Sequence, residues 1–250
     1  LRDGPKLELT NAGDRFYKAV AEGLGIIRRS TLEMKRLSAI PTLTISVLPF
    51  FAANWLVPRM VEFQRENDNI ELRIAASYEP VDFLRRPDID VAIRFGTGHW
   101  QGIYSECLIN EQIFPVCSPV FLTRAKGLQQ PEDLLRFQLI YADNDNDQWD
   151  HWFEAAHISP PTDQSGPRYS DELLLHQAAI KGQGITLARS LLVADEIQAG
   201  RLVRLFDIPV TSTNSYYFVC PAGRESEENI QLLLLWLRQA ALQSNSACVK

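Results

Sequence analysis

A narrow apolar seam runs along the first helix that the hydrophobic pattern predicts. Between residues 14 and 37, apolar side chains recur every three or four positions, which is the spacing of one helix face. Thr10 or Asn11 precedes this region as a candidate cap, and Pro41 ends it. So narrow a seam favours a dimerisation helix over an ordinary helix packed on the next domain, which is the alternative. The predicted dimerisation residues are Phe16, Val20, Leu24, Ile27 and Met34.

From residue 43 onward, strand-like and helix-like patterns alternate. Residues 43–48 indicate a strand, residues 50–67 a helix, and residues 70–76 a second strand. Apolar and charged residues alternate strictly over 70–76, which predicts a strand at a sheet edge or under an oligomer contact. A second series of strands and helices begins at residue 139 and closes with a helix over 229–242. Strands alternating with helices imply an α/β fold with parallel sheets, and two such series imply two lobes.

Composition restricts the class of protein. The chain has 250 residues, 46% of them hydrophobic and 22% charged, which is typical of a globular protein with one large or two small domains. No apolar run approaches the ~18 residues of a membrane-spanning helix, and no secretion leader is recognisable, so we expect a cytoplasmic protein. The net charge of −6 argues against a nucleic-acid-binding surface on this chain, because phosphate binding needs clustered Lys and Arg.

Catalytic and metal chemistry lacks its usual spacings in this sequence. The four histidines form no HxH or HxxxH pair, no Cys–His cluster has zinc-site spacing, and no G-x-S-x-G turn or phosphate-binding loop occurs. We therefore predict no catalytic residue, no metal, no cofactor and no enzymatic activity. The four cysteines are widely spaced, which favours reduced, mostly buried thiols over a thiol switch.

Several stretches between residue 7 and about residue 240 have sequence patterns that are typical of one protein family. They are LELTNAGDRFY (7–17), TISVLPFFAANWLVPRMVEFQRE (44–66), VDFLRRPDIDVAIRFGTGHW (81–100), FPVCSPVFL (114–122) and GQGITLARSLLVADEIQAGRLVRLF (182–206). Together they resemble the LysR-type transcriptional regulators. FAANWLVP, RFGTGHW and DQWDHWFEAA make the chain most similar to the branch of glycine-cleavage and β-lactamase regulators. Arg189 stands where many relatives have a proline.

The resemblance implies an architecture. Two Rossmann-like lobes of periplasmic-binding-protein type II would be joined by two crossover strands, near 115–119 and 217–221, and preceded by a long linker helix. The recognition helix of the winged helix-turn-helix domain is absent from this chain, so the chain as given should not read DNA by sequence. The implied divisions are a remnant of the DNA-binding domain at 1–13, the linker and dimerisation helix at 14–39, a first effector-binding lobe at 40–117 and 220–245, and a second lobe at 118–219.

The resemblance also implies a function. A bacterial transcription regulator of this kind binds a small effector between its lobes, contacts operator DNA through the N-terminal domain, and forms a homodimer or homotetramer. The alternative is the solute-binding protein of a transporter, which shares the two lobes but has no use for the helix at 14–37.

A candidate ligand ring follows from the position of the strand ends. Ligands of open α/β sheets bind outside the carboxyl ends of the strands, where helix N-termini offer free N–H groups. The resemblance places effector contacts in the same loops. The candidate effector-binding residues are Ser46, Pro49, Phe50, Ser77, Arg94, Phe95, Tyr169, Asp171, Glu172 and Tyr216.

Each candidate has a structural alternative. Arg94 could hold an effector carboxylate through its guanidinium fork or form an ion pair with an acid of its own lobe. Asp171 could equally be a helix cap, and Phe50 could belong to the core. Asp171 and Glu172 would suit an amine or hydroxyl better than a carboxylate. An amino acid or another small carboxylate is therefore the expected effector.

Overall fold

The computed structural model describes residues 9–36, 40–143, 146–161 and 165–248. Its α-helices are α1 (Asn11–Arg36), α2 (Pro49–Phe51), α3 (Val57–Glu66), α4 (Pro119–Arg124), α5 (Asn146–Ala155), α6 (Glu172–Ile180), α7 (Ser190–Gln198) and α8 (Glu228–Cys248). Its strands are β1 (Thr42–Val47), β2 (Glu71–Ala76), β3 (Val91–Gly96), β4 (Ile103–Cys117), β5 (Tyr141–Ala142), β6 (Arg168–Tyr169), β7 (Thr186–Arg189), β8 (Val203–Arg204) and β9 (Val210–Pro221).

A mixed sheet runs through both lobes. In the described part of the chain it has seven strands in the order β2-β1-β3-β9-β4-β7, with β8 paired to β4, and β5 and β6 form a separate parallel pair. β1 is parallel to β2 and β3, and β2 lies at the sheet edge as its alternating pattern predicted. The prediction of parallel sheets is wrong at the centre of the molecule. There β9 is antiparallel to both β3 and β4, because β4 and β9 are long connecting strands that cross in opposite directions.

The passage between the lobes lies within β4 and β9. Residues 215–219 of β9 pair with β3 of the first lobe, whereas residues 113–116 of β4 pair with β7 of the second lobe. The β4–β9 register shifts between Cys107 and Ile109 and again between Asn110 and Gln112. This strand pairing puts the passage several residues before the expected crossover points at 115–119 and 217–221.

Each lobe has its own apolar core. The core of the first lobe contains the fully buried Trp55 and Phe63, and α8 returns to it through Ile230, Leu233 and Leu237. The second lobe is built around three aromatic residues, Trp149, Trp152 and Phe153. Burial of such large side chains is the main stabilising contribution. Within the described ranges no helix, α8 included, combines the length and apolar character needed to cross a bilayer.

The helix predicted over 50–67 is divided into three segments. After α2, residues Ala52–Leu56 form a π-helical turn, and α3 follows with Pro58 in its first turn. A proline cannot donate to the preceding turn, so a wider turn just before it accommodates the missing hydrogen bond. At the other end of this region, α2 begins at Pro49, so Pro49 and Phe50 lie directly after the end of β1.

The first helix leaves its apolar seam exposed in this chain. Thr10 caps α1, its Oγ1 accepting from the Gly13 amide at 3.1 Å, so the helix starts three residues earlier than residue 14. α1 contacts the first lobe through Tyr17, whose hydroxyl accepts from Arg85 Nε at 2.6 Å, and through the buried Gly25, which lies beside the carbonyl of Leu84. The seam residues Phe16, Val20, Leu24 and Ile27 are 71%, 40%, 61% and 64% exposed. The side chain of Met34 lies outside the described part.

The cysteines of the described part differ in environment. Cys117 and Cys220 are buried, and burial raises the pKa of their thiols to about 11 and about 12. Cys107 is exposed, contrary to the expectation for its apolar run, because β4 turns it towards the surface where its Sγ meets Asn110 at 3.3 Å. The side chain of Cys248 lies outside the described part.

Candidate functional site

The carboxyl ends of β1 and β3 bring a serine and an arginine together. Arg94 Nη2 donates to Ser46 Oγ at 2.6 Å and to the Glu79 carbonyl at 3.2 Å, while Nη1 donates to the carbonyl of Ile93 at 2.9 Å. The two strands are parallel neighbours, so their ends meet at one edge of the sheet. The arginine is thereby fixed at the carboxyl edge of the first-lobe sheet.

Arg94 is a buried cation without an acidic partner among the described residues. Only 9% of the residue is exposed, its Nε makes no hydrogen bond, and no carboxylate of the described ranges forms an ion pair with it. Burial lowers the pKa of the guanidinium to about 10, so the group is still charged at neutral pH. Of the two alternatives for Arg94, the ion pair with an acid of its own lobe is not formed within the described ranges.

Two side chains bridge the lobes at the mouth of the cleft. Tyr78, which follows β2, donates its hydroxyl to Asp171 Oδ2 at 2.6 Å. Asp171 is also the cap of α6, because its Oδ1 accepts from the Leu173 amide at 2.7 Å. Burial and this hydrogen bond raise the pKa of the Tyr78 phenol. The helix-cap interpretation of Asp171 is therefore correct, and the same carboxylate also contacts the other lobe.

A buried arginine of the second lobe contacts an aromatic ring of the first lobe. Arg189 forms an ion pair with Glu172, and its Nη1 lies 3.4 Å from the hydroxyl of Tyr216. Its guanidinium carbon stands 3.7 Å from the ring centre of Phe95, a cation–π contact between the lobes. Burial raises the pKa of the Glu172 carboxyl, an effect that Arg189 opposes. Arg189 thus already supplies the counter-charge for the Glu172 carboxylate.

A second aromatic contact joins the lobes. The ring of Phe50 stacks on the imidazole of His176, with centroids 4.8 Å apart and planes inclined by 14°. Both nitrogens of His176 are buried, and burial lowers the pKa of the imidazole to about 4. A neutral imidazole is therefore what packs against Phe50 at neutral pH. Phe50 belongs to the first-lobe core as well as to the interface.

A buried acid lies where β4 crosses between the lobes. Glu111 is fully buried, and its Oε2 accepts from Ser190 Oγ at 3.1 Å and from the Leu191 amide at 3.4 Å, at the start of α7. Burial raises the pKa of its carboxyl to about 7, although the charge of Arg189 acts in the opposite direction. β4 thus carries a buried carboxyl group whose pKa lies near neutral pH.

Six of the ten predicted residues contact Arg94, Arg189 or the opposite lobe, and two others form hydrogen bonds within their own lobe. The Tyr169 hydroxyl donates to Gln183 Oε1 at 2.7 Å, and Ser77 Oγ accepts from the Glu79 amide at 3.1 Å. The members with a contact to Arg94, Arg189 or the opposite lobe are Ser46, Phe50, Phe95, Asp171, Glu172 and Tyr216. Pro49 contributes only as the first residue of α2.

Sequence reasoning missed four residues of this cleft. Tyr78, His176 and Glu111 carried no signal, because each matters only through a partner that is distant in sequence. Arg189 did carry one, because an arginine in place of a proline before a helix is an unusual exchange of a rigid apolar residue for a long cation.

Comparison with known proteins identifies the family. The family described as LysR substrate binding domain matches residues 38–242. The glycine cleavage system transcriptional activator of Escherichia coli (strain K12) is 36% identical, over 94% of this chain and 77% of its own. The transcriptional activator AmpR of Rhodobacter capsulatus is 30% identical, over 95% of this chain and 80% of its own.

Solved structures agree with this assignment. The effector domain of the transcriptional regulator AmpR of Pseudomonas aeruginosa superimposes with a TM-score of 0.73 at 27% identity, covering 82% of this chain and 98% of that one. The α/β fold with its curled mixed sheet is therefore that of an effector-binding domain of periplasmic-binding-protein type II, and the relatives favour a regulator over a transport protein. The chain belongs to the LysR family of transcriptional regulators and contains that family's substrate-binding domain.

Proposed function

We propose that this chain is the sensing part of a LysR-type regulator, and that its effector is an amino acid or another small carboxylate bound between the lobes. The observation that carries the proposal is Arg94, a buried guanidinium that lacks an acidic partner in the described part of the chain. A buried charge without a counter-charge is costly, so an anion that supplied one would bind tightly. Ser46, which already holds Arg94, would orient the carboxylate.

The effector acts by shifting the arrangement of the lobes. Three contacts join them at the cleft: Tyr78 with Asp171, Phe50 with His176, and Phe95 with Arg189. A ligand that strengthens or breaks these contacts prefers one arrangement of the lobes and so increases its population. This is sensing without chemistry, and the protein is accordingly not an enzyme; the relatives it matches are named as regulators.

The exposed face of α1 serves for association with a second copy. Four large apolar side chains along one helix face, 40% to 71% exposed, are expensive to leave in water. Pairing of two such helices would bury them and form a homodimer, or a homotetramer if the lobes associate as well. Operator DNA is contacted through a domain N-terminal to this helix, which explains why the chain itself is acidic.

A thermal-shift screen tests the proposal. The chain is heated with individual amino acids and small carboxylates, and a ligand stabilises it in proportion to RT ln(1 + [L]/Kd). We expect hits that disappear in Arg94→Gln and persist in Arg124→Gln, a matched loss of one exposed arginine on α4. Hits that persist unchanged in Arg94→Gln, or a screen without hits, would contradict a carboxylate effector at this position.

A further inference from the structure

We propose that the effector is a carboxylate with a compact apolar body but no ammonium group, and that this body occupies a cavity inside the first lobe beside Arg94. The inference rests on the proposed function and narrows the class of its ligand. It places the body of the ligand within one lobe, with only the carboxylate end at the strand edge.

The cavity lies under the segment that follows β2. It has a volume of about 190 Å³, and its apolar walls are formed by Leu48, Val81, Phe83, Trp100 and Val219. An engineered apolar cavity of ~150 Å³ accepts benzene, so this one has room for a branched aliphatic chain or a single ring. Tyr78 and Pro80, both exposed, stand at its surface side. Such walls favour an apolar ligand and would gain by its burial.

Arg94 is the charged group of this cavity. It lines the cavity, it is nine-tenths buried, and its Nε–H has no acceptor. A carboxylate in the cavity would supply the counter-charge that Arg94 lacks among the described residues. The walls and the cation together define a ligand with one anionic end and an apolar remainder.

The acids of the cleft argue against a zwitterion. Asp171 already accepts from the Tyr78 hydroxyl and the Leu173 amide, and Glu172 is paired with Arg189. An α-ammonium group carried into the cavity would find no acidic side chain among the lining residues, and a contact with Asp171 or Glu172 outside it would compete with their present partners. The unmatched charge of the site is positive, so a net anion fits it better than an amino acid.

A ligand in this cavity would be sensed by the second lobe. Tyr78 and Phe95 both line the cavity, and both contact the opposite lobe, Tyr78 through Asp171 and Phe95 through Arg189. Filling the cavity therefore displaces or fixes the first-lobe half of two of the three contacts between the lobes. A ligand bound within the first lobe would in this way change how the two lobes are arranged relative to each other.

Isothermal titration of this chain with four matched ligands tests the proposal. They are 4-methylpentanoate, its neutral amide, leucine (the same body with an α-ammonium) and glycine, which has no apolar body. We expect 4-methylpentanoate to bind about tenfold or more tightly than each of the others. The amide loses the charge-assisted hydrogen bonds, leucine buries an ammonium without an acidic partner, and glycine lacks the apolar body. Arg94→Gln should abolish the preference over the amide, and Arg124→Gln should preserve it.

A cavity-filling variant separates this inference from the proposed function. Val81→Trp fills part of the cavity from a lining position and keeps both Arg94 and Ser46 in the chain; we expect it to weaken the binding of 4-methylpentanoate at least about tenfold while the chain unfolds at an unchanged temperature. Preferential binding of leucine or glycine, lost in Arg94→Gln, would overturn the inference and leave the proposed function standing. Binding insensitive to Arg94→Gln would overturn both, whereas no binding of any of the four at millimolar concentration would overturn this inference alone.

Discussion

The hydroxyl of Tyr78 in the first lobe donates to the carboxylate of Asp171 in the second lobe over 2.6 Å. The two residues are 93 positions apart in sequence, and Asp171 simultaneously caps α6. The Asp171 carboxylate thus connects the first turn of α6 to the first lobe. A change in the spacing of the lobes would therefore act directly on the start of α6.

Tyr78→Phe should loosen the mouth of the cleft without unfolding either lobe. A hydrogen bond of this kind contributes about 0.5–1.5 kcal/mol, so amide exchange over residues 171–175 should become up to about tenfold faster. Tyr104→Phe is the matched control, because Tyr104 donates to Glu106 at 2.7 Å within β4. Hydrogen-exchange mass spectrometry makes the comparison, and equal rates in both variants would show that Tyr78 does not hold the lobes together.

Arg189→Ala should destabilise the second lobe, because it leaves Glu172 and its raised pKa without a counter-charge in a largely buried position. Loss of one partner of a buried pair costs about 3–5 kcal/mol; since a quarter of the Glu172 side chain is exposed, we expect about 2 kcal/mol in urea denaturation. Arg201→Ala breaks the pair with Glu196 at a half-exposed position and should cost less than about 1 kcal/mol. Similar costs for the two variants would contradict a special role of Arg189.

Glu111 should make the protein less stable as the pH rises towards and through neutrality. Burial raises the pKa of its carboxyl from 4.5 to about 7, so the folded state holds a proton that the unfolded state has released. This contribution is complete below about pH 4.5 and is lost as the pH rises through about 7, on the order of 3 kcal/mol in total. Urea denaturation from pH 5 to 8 should show this slope, and the slope should be missing in Glu111→Gln. A profile that is the same in both would refute the shift.

His176 should have the opposite dependence. Burial lowers the pKa of its imidazole from 6.5 to about 4, so the unfolded state binds a proton that the folded state excludes. Its contribution is complete above about pH 6.5 and is lost as the pH falls towards 4. His176→Phe keeps the stack on Phe50 and removes the titrating group. The unfolding free energy of the unmodified protein minus that of His176→Phe should therefore fall as the pH drops from 6.5 to 4 and stay constant above pH 6.5. A difference that is constant from pH 4 to 8 would contradict this account.

Leu24→Glu should turn an associating chain into a monomer. The residue is 61% exposed on α1, in the middle of the apolar seam, and a charge there would have to be buried on pairing. Sedimentation-velocity centrifugation compares it with Leu135→Glu, which places the same charge at a 44% exposed leucine in the second lobe. Association that survives Leu24→Glu would favour the alternative in which α1 merely packs on the domain.

The sequence predicted local structure well and relations across the molecule poorly. The period of apolar positions was sufficient to locate β1, β2 and α6, because that period reflects one buried face. It did not reveal that β4 and β9 run antiparallel, since a continuous apolar strand has the same pattern in either direction.

The same difference applies to the site. Strand ends located Ser46, Arg94 and Asp171, because the position of a loop follows from the order of elements. The partners of these residues depend on how one lobe faces the other, and no local pattern encodes that relation. Tyr78 adjoins the predicted Ser77 and was still overlooked, since only the folded chain brings it to Asp171.

Two strands, and not one, connect the lobes, and they lie side by side where they cross, with Asn110 of β4 paired to Ser215 of β9. A single tether would let one lobe swivel and twist freely about the other. A pair of hydrogen-bonded tethers removes most of those degrees of freedom and leaves bending at the interrupted register as the easy motion. Occupation of the space between the lobes would therefore be reported as a change of one angle between them.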